Sequence, residues 1–210
     1  MASGLPNSIL LAGLPRSCVN ELVSARPDPA AGCRELGPVA DPAASIPVVA
    51  IGEHAAEAMA CAQRFRTEGC SISTLIVGAL VAPAVQSLEQ GCAALDAAVA
   101  GNSLTPIRIL SAFLPDLMQQ KAGRVILVSF DPLSLKRPED AAVRGTAKGI
   151  ATYLESLRPA LALRGVIAST LFLRMTSTAA WNPEQFGPTI GREIARLLAK
   201  PVRERTLRLP

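Results

Sequence analysis

Residues 123–130 read GRVILVSF, and the run from Val125 to Val128 is apolar at every position. A strand with one face in water alternates, so an unbroken apolar run describes a strand covered on both faces, as in parallel sheets. The same signature recurs in SILLAG (8–13), IPVVAIG (46–52), STLIVGALV (73–81) and GVIASTLFL (165–173), with a shorter RTLRL at 205–209. Between these lie stretches with helical composition and spacing, over 54–68, 84–100, 103–121, 139–163 and 188–199. Strands alternating with helices predict a doubly wound parallel α/β sheet. The stretch PDPAAGCRELGPVADPAAS (27–45) is too dense in Pro and Gly for a regular element. The expectation is one Rossmann-like domain over 1–210, shortened around its second strand and at its C-terminus.

Composition narrows the function classes. Half of the 210 residues are apolar, but Ala supplies much of this, and no uninterrupted run reaches the roughly 20 residues of a membrane span. The N-terminus MASGLPNSILLAG lacks a basic flank and a cleavage signal. A cytoplasmic protein without a membrane partner is expected. The five cysteines are scattered without a CxxC pair, and the chain has a single histidine, His54, so neither a metal site nor a disulfide framework is expected. The net charge is +4, with basic residues concentrated only in RERTLRLP at the C-terminus, and aromatics make up 3%. That is too few stacking platforms for a nucleic-acid partner.

In order and spacing, the segments SLTPIRILSAFLPDLMQQ (103–120), GRVILVSF (123–130) and TAKGIATYLESLRPALALRGV (146–166) resemble the short-chain dehydrogenase/reductase (SDR) family, and the likeness runs along nearly the whole chain. The resemblance implies that family's Rossmann fold. It also implies where a dinucleotide would lie, since the family's first strand ends in TGxxxGxG, whose glycines admit the pyrophosphate to a helix N-terminus. Here the matching residues are Ala12, Gly13, Leu14, Pro15, Arg16, Ser17, Cys18 and Val19. Gly13 alone is kept, Ser17 and Val19 add side chains, and Arg16 is either a phosphate ligand or a surface cation. The family's NNAG becomes Val77, Gly78, Ala79 and Leu80, and its later Pro-Gly becomes Leu173 and Arg174. Cofactor binding at Gly13, Arg16 and Ser17 is therefore degenerate. No cofactor is expected, and NAD or NADP is the one implied if any is held.

The resemblance also implies a tetrad of Asn, Ser, Tyr and Lys. Asn102 and Lys148 stand at two of these positions, as remnants; Phe130 stands where Ser is required and Arg144 where Tyr is required. A guanidinium stays protonated near neutrality and cannot exchange a proton with a carbonyl oxygen. Ser129 faces the opposite side of the sheet from residue 130, and Tyr153 lies about 140° around the helix from Lys148. Each remnant has a plain structural explanation too. Asn102 is placed to cap a helix, Asp140 and Arg144 are spaced as an i,i+4 pair, and Lys148 shares a polar stripe with Arg144, Thr152, Glu155 and Arg158.

The helices 103–121 and 139–163 carry more apolar residues than one sheet face needs. In the resembled family these helices pair between subunits. Leu110, Phe113, Leu114, Ile150, Leu154 and Leu157 are accordingly the expected interface. The partner expected from this is a catalytically active SDR paralogue, in a heterodimer or heterotetramer of an alcohol or 3-hydroxyacyl dehydrogenase or ketoreductase, with this chain as its non-catalytic subunit. The alternatives are a divergent NAD(P)-dependent SDR oxidoreductase with an altered tetrad, and a nucleotide-sensing regulatory domain.

Overall fold

The computed structural model of the chain describes residues 8–24, 55–67, 72–83, 85, 87, 89–90, 94–121 and 123–209. The expected strand at 46–52, the loop at 27–45 and His54 lie outside them. Among the described residues five strands, β1 (Ser8–Ala12), β2 (Ile72–Ala79), β3 (Gly123–Phe130), β4 (Val166–Arg174) and β5 (Glu204–Arg208), form one sheet in the order β1-β2-β3-β4-β5. Every pairing is parallel. The helices are α1 (Arg16–Ser24), α2 (Ala55–Thr67), α3 (Leu95–Gln120), α4 (Ala141–Leu163) and α5 (Pro183–Ala199).

The alternation hidden in the apolar runs appears once both faces are seen. Leu10, Leu75, Val77, Val125 and Leu127 point to one side, where they join Phe65 of α2, Leu110 and Phe113 of α3, and Ile150 and Leu154 of α4. Ile9, Leu11, Ile76, Ile126, Val128 and Phe130 point to the other, joining Cys18 and Leu22 of α1 and Phe186, Ile190 and Ile194 of α5. The sheet is thus buried between two layers of helix, as a run without polar positions requires.

The expected interface is corrected by this packing. Leu110, Phe113, Leu114, Ile150 and Leu154 are all at most 7% exposed in the single chain, and Leu157 is half-buried against the same core. The surplus of apolar residues on α3 and α4 serves intrachain neighbours that composition did not reveal. α2 lies along α3, with Phe65 meeting Phe113 edge-to-face at 6.2 Å and Arg66 joining Asp116 at 2.9 Å. At its N-terminal end α4 turns Val143 and Ala147 into the second core. By length and composition α3 would suffice to cross a membrane, and its Ile109, Leu110, Phe113 and Leu117 are core residues here.

Two helix boundaries differ from expectation. The helix expected over 84–100 is regular only from Leu95 and at 89–90 among the described residues, because the chain after β2 leaves the sheet through irregular positions 80–83. The helix expected at 188–199 starts five residues earlier. Asn182 caps it, its Oδ1 accepting from the Gln185 N–H at 3.2 Å, and Pro183 occupies the first turn. Pro188 stands inside the helix and does not end it.

The basic C-terminal segment is internally paired. Arg203 meets Glu155 and Arg205 meets Glu193, while Arg158 donates to the Thr170 hydroxyl and the Arg203 carbonyl, both at 2.9 Å. These contacts tie the edge strand β5 to α4 and α5.

Candidate functional site

In open parallel sheets ligands bind outside the carboxyl ends of the strands, so the loops after β1, β2, β3 and β4 are where chemistry would sit. The loop after β1 keeps its glycine for a reason internal to the fold. Gly13 has φ 65°, and a Cβ there would stand 2.6 Å from the Gly78 carbonyl oxygen; a Cβ on Gly78 would stand 2.1 Å from the oxygen of Gly13. The two backbones touch, and only glycines permit it.

Beyond Gly13, other parts of the chain approach the helix end where the resemblance implies a phosphate. The amides of Cys18 and Val19 both donate to the Pro15 carbonyl, at 3.0 and 3.1 Å. Ser17 Oγ donates to the Pro183 carbonyl at 3.3 Å, which brings the negative end of a peptide dipole to the N-terminus of α1. Helix α5 comes this close through Gly187 and Gly191. A Cβ on Gly187 would lie 1.9 Å from Ser17 Oγ and 2.7 Å from the Cys18 nitrogen, and one on Gly191 would lie 2.8 Å from the Cys18 carbonyl oxygen. Arg16 is exposed. Ser17 Oγ, the Pro183 carbonyl and helix α5 thus crowd the helix end at which a dinucleotide pyrophosphate would need free N–H groups.

Cys18, beneath this contact, is fully buried, and burial followed by the nearby Glu21 carboxylate pushes its thiol up to about 12. Folding thus favours the protonated thiol. This contribution is complete below the unfolded-state value of about 8.5 and is lost as pH rises through that value towards 12. We expect the stability difference between the natural protein and Cys18→Ala to shrink steadily above pH ~8.5, measured by urea unfolding at stepped pH. A pH-independent difference would show that the thiol titrates alike in both states.

Asn102 survives in a different role from the helix cap expected of it. It sits in a π-helical turn, Ala100–Leu104, inside the continuous α3, and is fully buried. Its Oδ1 accepts from the Val81 N–H at 2.8 Å, and its Nδ2 donates to the Val81 carbonyl at 2.7 Å and to Thr146 Oγ1 at 3.4 Å. Gly101 makes room, because a Cβ there would lie 2.2 Å from a Val81 methyl. Side-chain hydrogen bonds of this kind staple the loop after β2 to α3 and α4. Replacing Asn102 by Ala should cost about 2–3 kcal/mol, seen as a lowered denaturant midpoint. A change below about 0.5 kcal/mol would contradict the staple.

The position of the missing hydroxyl is filled. Phe130 is fully buried at the end of β3, with Trp181 edge-on at 5.1 Å and Phe186 stacked on Trp181 at 5.9 Å. Both partners come from the short connection between β4 and α5 and from α5's first turns, so the helix extension that sequence missed is what closes the site. Ser129 faces the opposite layer, as expected, and its buried Oγ has no hydrogen-bond partner. Asp131, which follows Phe130, is 4% exposed; it accepts from Arg174 Nε at 2.7 Å and from the Leu133 N–H at 2.9 Å. Arg174, where the resembled family has the second residue of Pro-Gly, is thus half of an ion pair that locks the ends of β3 and β4 together.

Arg144 and Lys148, at the remaining expected positions, lie four residues apart on α4. Arg144 donates through Nη1 to the Leu135 carbonyl at 3.0 Å, not to Asp140, which instead accepts from Thr178; the expected helix pair is absent. Lys148 is exposed and makes no hydrogen bond or ion pair among the described residues. Tyr153 packs sideways against the first core. Trp181, Asp131 and the Gly187/Gly191 pair were missed from sequence.

No protein-family model and no curated protein sequence matches the chain. Solved structures do. A metagenomic short-chain oxidoreductase in complex with NADP superposes with a TM-score of 0.68 at 18% identity, covering 98% of each chain. Serine dehydrogenase from Escherichia coli gives 0.70 at 14% identity over 96% of each chain. A short-chain dehydrogenase from Burkholderia cenocepacia in complex with NADP gives 0.69 at 16% identity, covering 96% of this chain and 88% of the other. The chain has the SDR fold. At these identities the likeness concerns backbone architecture, and the chemistry rests on the side chains described above.

Proposed function

We propose that the chain is a non-catalytic subunit of an SDR-type oxidoreductase complex, holding no dinucleotide and supporting an active partner of the same fold. The observation that carries this reading is the fully buried Phe130 under Trp181, in the place the resemblance gives to the group that polarises a substrate oxygen. The closed Ser17 loop, the Arg144 bond to Leu135 and the structural role of Asn102 support it independently.

The face offered to the partner is the outer side of α4, not the buried leucines first expected. Gly145 and Gly149 are exposed there with no atom within 4 Å of an added Cβ, beside exposed Lys148, Thr152 and Ser156. Mid-helix glycines cost roughly 0.5–1 kcal/mol each relative to Ala, a cost that close approach of another helix would offset. The buried thiols Cys18 and Cys61 suit a reducing compartment, and we place the complex in the cytoplasm.

The test is a native pull-down with mass measurement, alongside fluorescence titration of the isolated chain with NADH and NADPH. We expect recovery of a dehydrogenase carrying an intact Ser, Tyr and Lys, loss of that recovery in Gly145→Leu/Gly149→Leu, and no saturable quenching at millimolar dinucleotide. Turnover of an alcohol or ketone by the isolated chain would instead establish a divergent oxidoreductase, and binding without turnover a nucleotide sensor.

A further inference from the structure

The end of the sheet opposite the loops after β1, β2, β3 and β4 carries a patch of another kind. The turn between α4 and β4 bears Leu163 at 88% exposure and Ile167 at 46%. Around it stand the exposed cations Lys121, Arg164 and Lys200, which follow the last residues of α3, α4 and α5. We propose that this pole docks on an anionic lipid surface, with Leu163 and Ile167 entering the headgroup region and the three cations meeting lipid phosphates and carboxylates.

The fold brings these residues together. A Cβ on Gly165 would lie 2.3 Å from the Lys121 carbonyl oxygen, so the end of α3 touches the turn that follows α4. Gly123 pairs with Val166 and Arg124 with Ile167. Arg124 in turn donates through Nη1 to the Leu198 carbonyl, which brings the last turn of α5 to the same place. Ile167 shares the face of β4 on which Leu171 and Leu173 join the second core, yet it is left uncovered.

Charge decides the occupant. Lys121, Arg164 and Lys200 make no side-chain hydrogen bond or ion pair among the described residues. Carboxylates of the neighbouring elements are already engaged: Asp116 with Arg66, Glu155 and Glu204 with Arg158, and Glu155 also with Arg203. A cation at a helix C-terminus complements the helix dipole, but that gives no role to the two apolar side chains beside it. Apolar residues framed by Lys and Arg are the combination that holds a protein at a membrane interface, where the apolar groups insert and the cations are drawn to the negative potential of the cytoplasmic leaflet. The residues sit on turns and helix ends, the projecting parts of the pole, which a lipid surface can meet together. Contact of this kind needs no spanning run, and so it revises the expectation of no membrane partner. None of these residues belongs to the remnants of the tetrad or to the α4 stripe from Gly145 to Ser156, so the patch stands whether or not the partner reading does.

Co-sedimentation of the full chain with lipid vesicles decides the matter, using phosphatidylcholine mixed with phosphatidylserine against phosphatidylcholine alone. The chain should sediment with the mixed vesicles only, and raising the salt should weaken binding by about tenfold or more. Arg164→Gln/Lys200→Gln should weaken it by about tenfold or more, and Leu163→Gln by about tenfold. Both variants alter exposed positions and should keep an unchanged unfolding midpoint. Fluorescently labelled poly-L-glutamate supplies a soluble acidic ligand for comparison. Absence of sedimentation with the mixed vesicles, equal binding to phosphatidylcholine alone, or a Leu163→Gln variant that binds as before would overturn the assignment. So would binding of poly-L-glutamate as tight as that of the mixed vesicles, which would mark an acidic protein as the partner.

Discussion

Phe130→Ser, which returns the side chain the resembled enzymes use, should lower the stability of this chain by about 3–5 kcal/mol and create no activity. The ring is fully buried and meets Trp181 at 5.1 Å, so truncation removes both its transfer free energy and an edge-to-face contact, and a serine hydroxyl left in an apolar hole adds a desolvation cost. Domains of this kind hold roughly 5–15 kcal/mol in all, so the variant would stand near its unfolding threshold. At about 2–4 °C per kcal/mol for a chain of this size, the melting temperature should fall by about 6–20 °C. Phe130→Leu, which keeps most of the volume, should cost under about 1.5 kcal/mol. The pair separates packing from chemistry, because a site awaiting only its hydroxyl would tolerate Ser and gain turnover, above all when combined with Arg144→Tyr. A Phe130→Ser/Arg144→Tyr variant that folds and oxidises an alcohol with NAD would refute the non-catalytic reading.

The fold was legible because it is written in long signals. Unbroken runs such as GRVILVSF can be satisfied only by a sheet covered on both sides, and the observed strands β1, β2, β3, β4 and β5 start and stop within two residues of the runs that announced them. That Phe130 and Arg144 stand where the resembled family has Ser and Tyr is an expectation from sequence, since the identity of a side chain needs no coordinates. What was not legible depended on distant partners. The leucines of α3 and α4 read as an excess because a periodicity shows which side of a helix is apolar and not how many neighbours cover it; Phe65 and Arg66 of α2, some 50 residues earlier, supply the missing cover. Asn102 read as a cap because Asn before a helical run usually is one. A π turn keeps the helix continuous through that position, and nothing in the local sequence distinguishes the two. The same limit hid Asp140, whose partner Thr178 lies 38 residues away and displaces the neighbour four residues along.

Gly78→Ala should prevent stable folding, the largest effect expected of any single substitution here. The added methyl would lie 2.1 Å from the Gly13 oxygen, 2.7 Å from the Gly13 carbonyl carbon and 3.2 Å from a Leu14 methyl. Two of the three obstacles are backbone, and β2 cannot recede from them, since it is bonded to β1 on one side and at Gly78 itself to Val128 of β3 on the other. Relief must come from breaking the β1 edge of the sheet, at a cost beyond about 4 kcal/mol. Soluble yield and circular dichroism report it directly, and Gly145→Ala, with open space around the new methyl, serves as the control that should instead stabilise the isolated chain by roughly 0.5–1 kcal/mol. A folded Gly78→Ala with a near-normal unfolding midpoint would mean that the two loops are not held in contact. The prediction bears on function because Gly13 is the one glycine kept from the dinucleotide motif. If its retention follows from the Gly78 contact and its φ of 65°, then the surviving glycine reports how β1 passes β2, and it ceases to count as a trace of nucleotide binding.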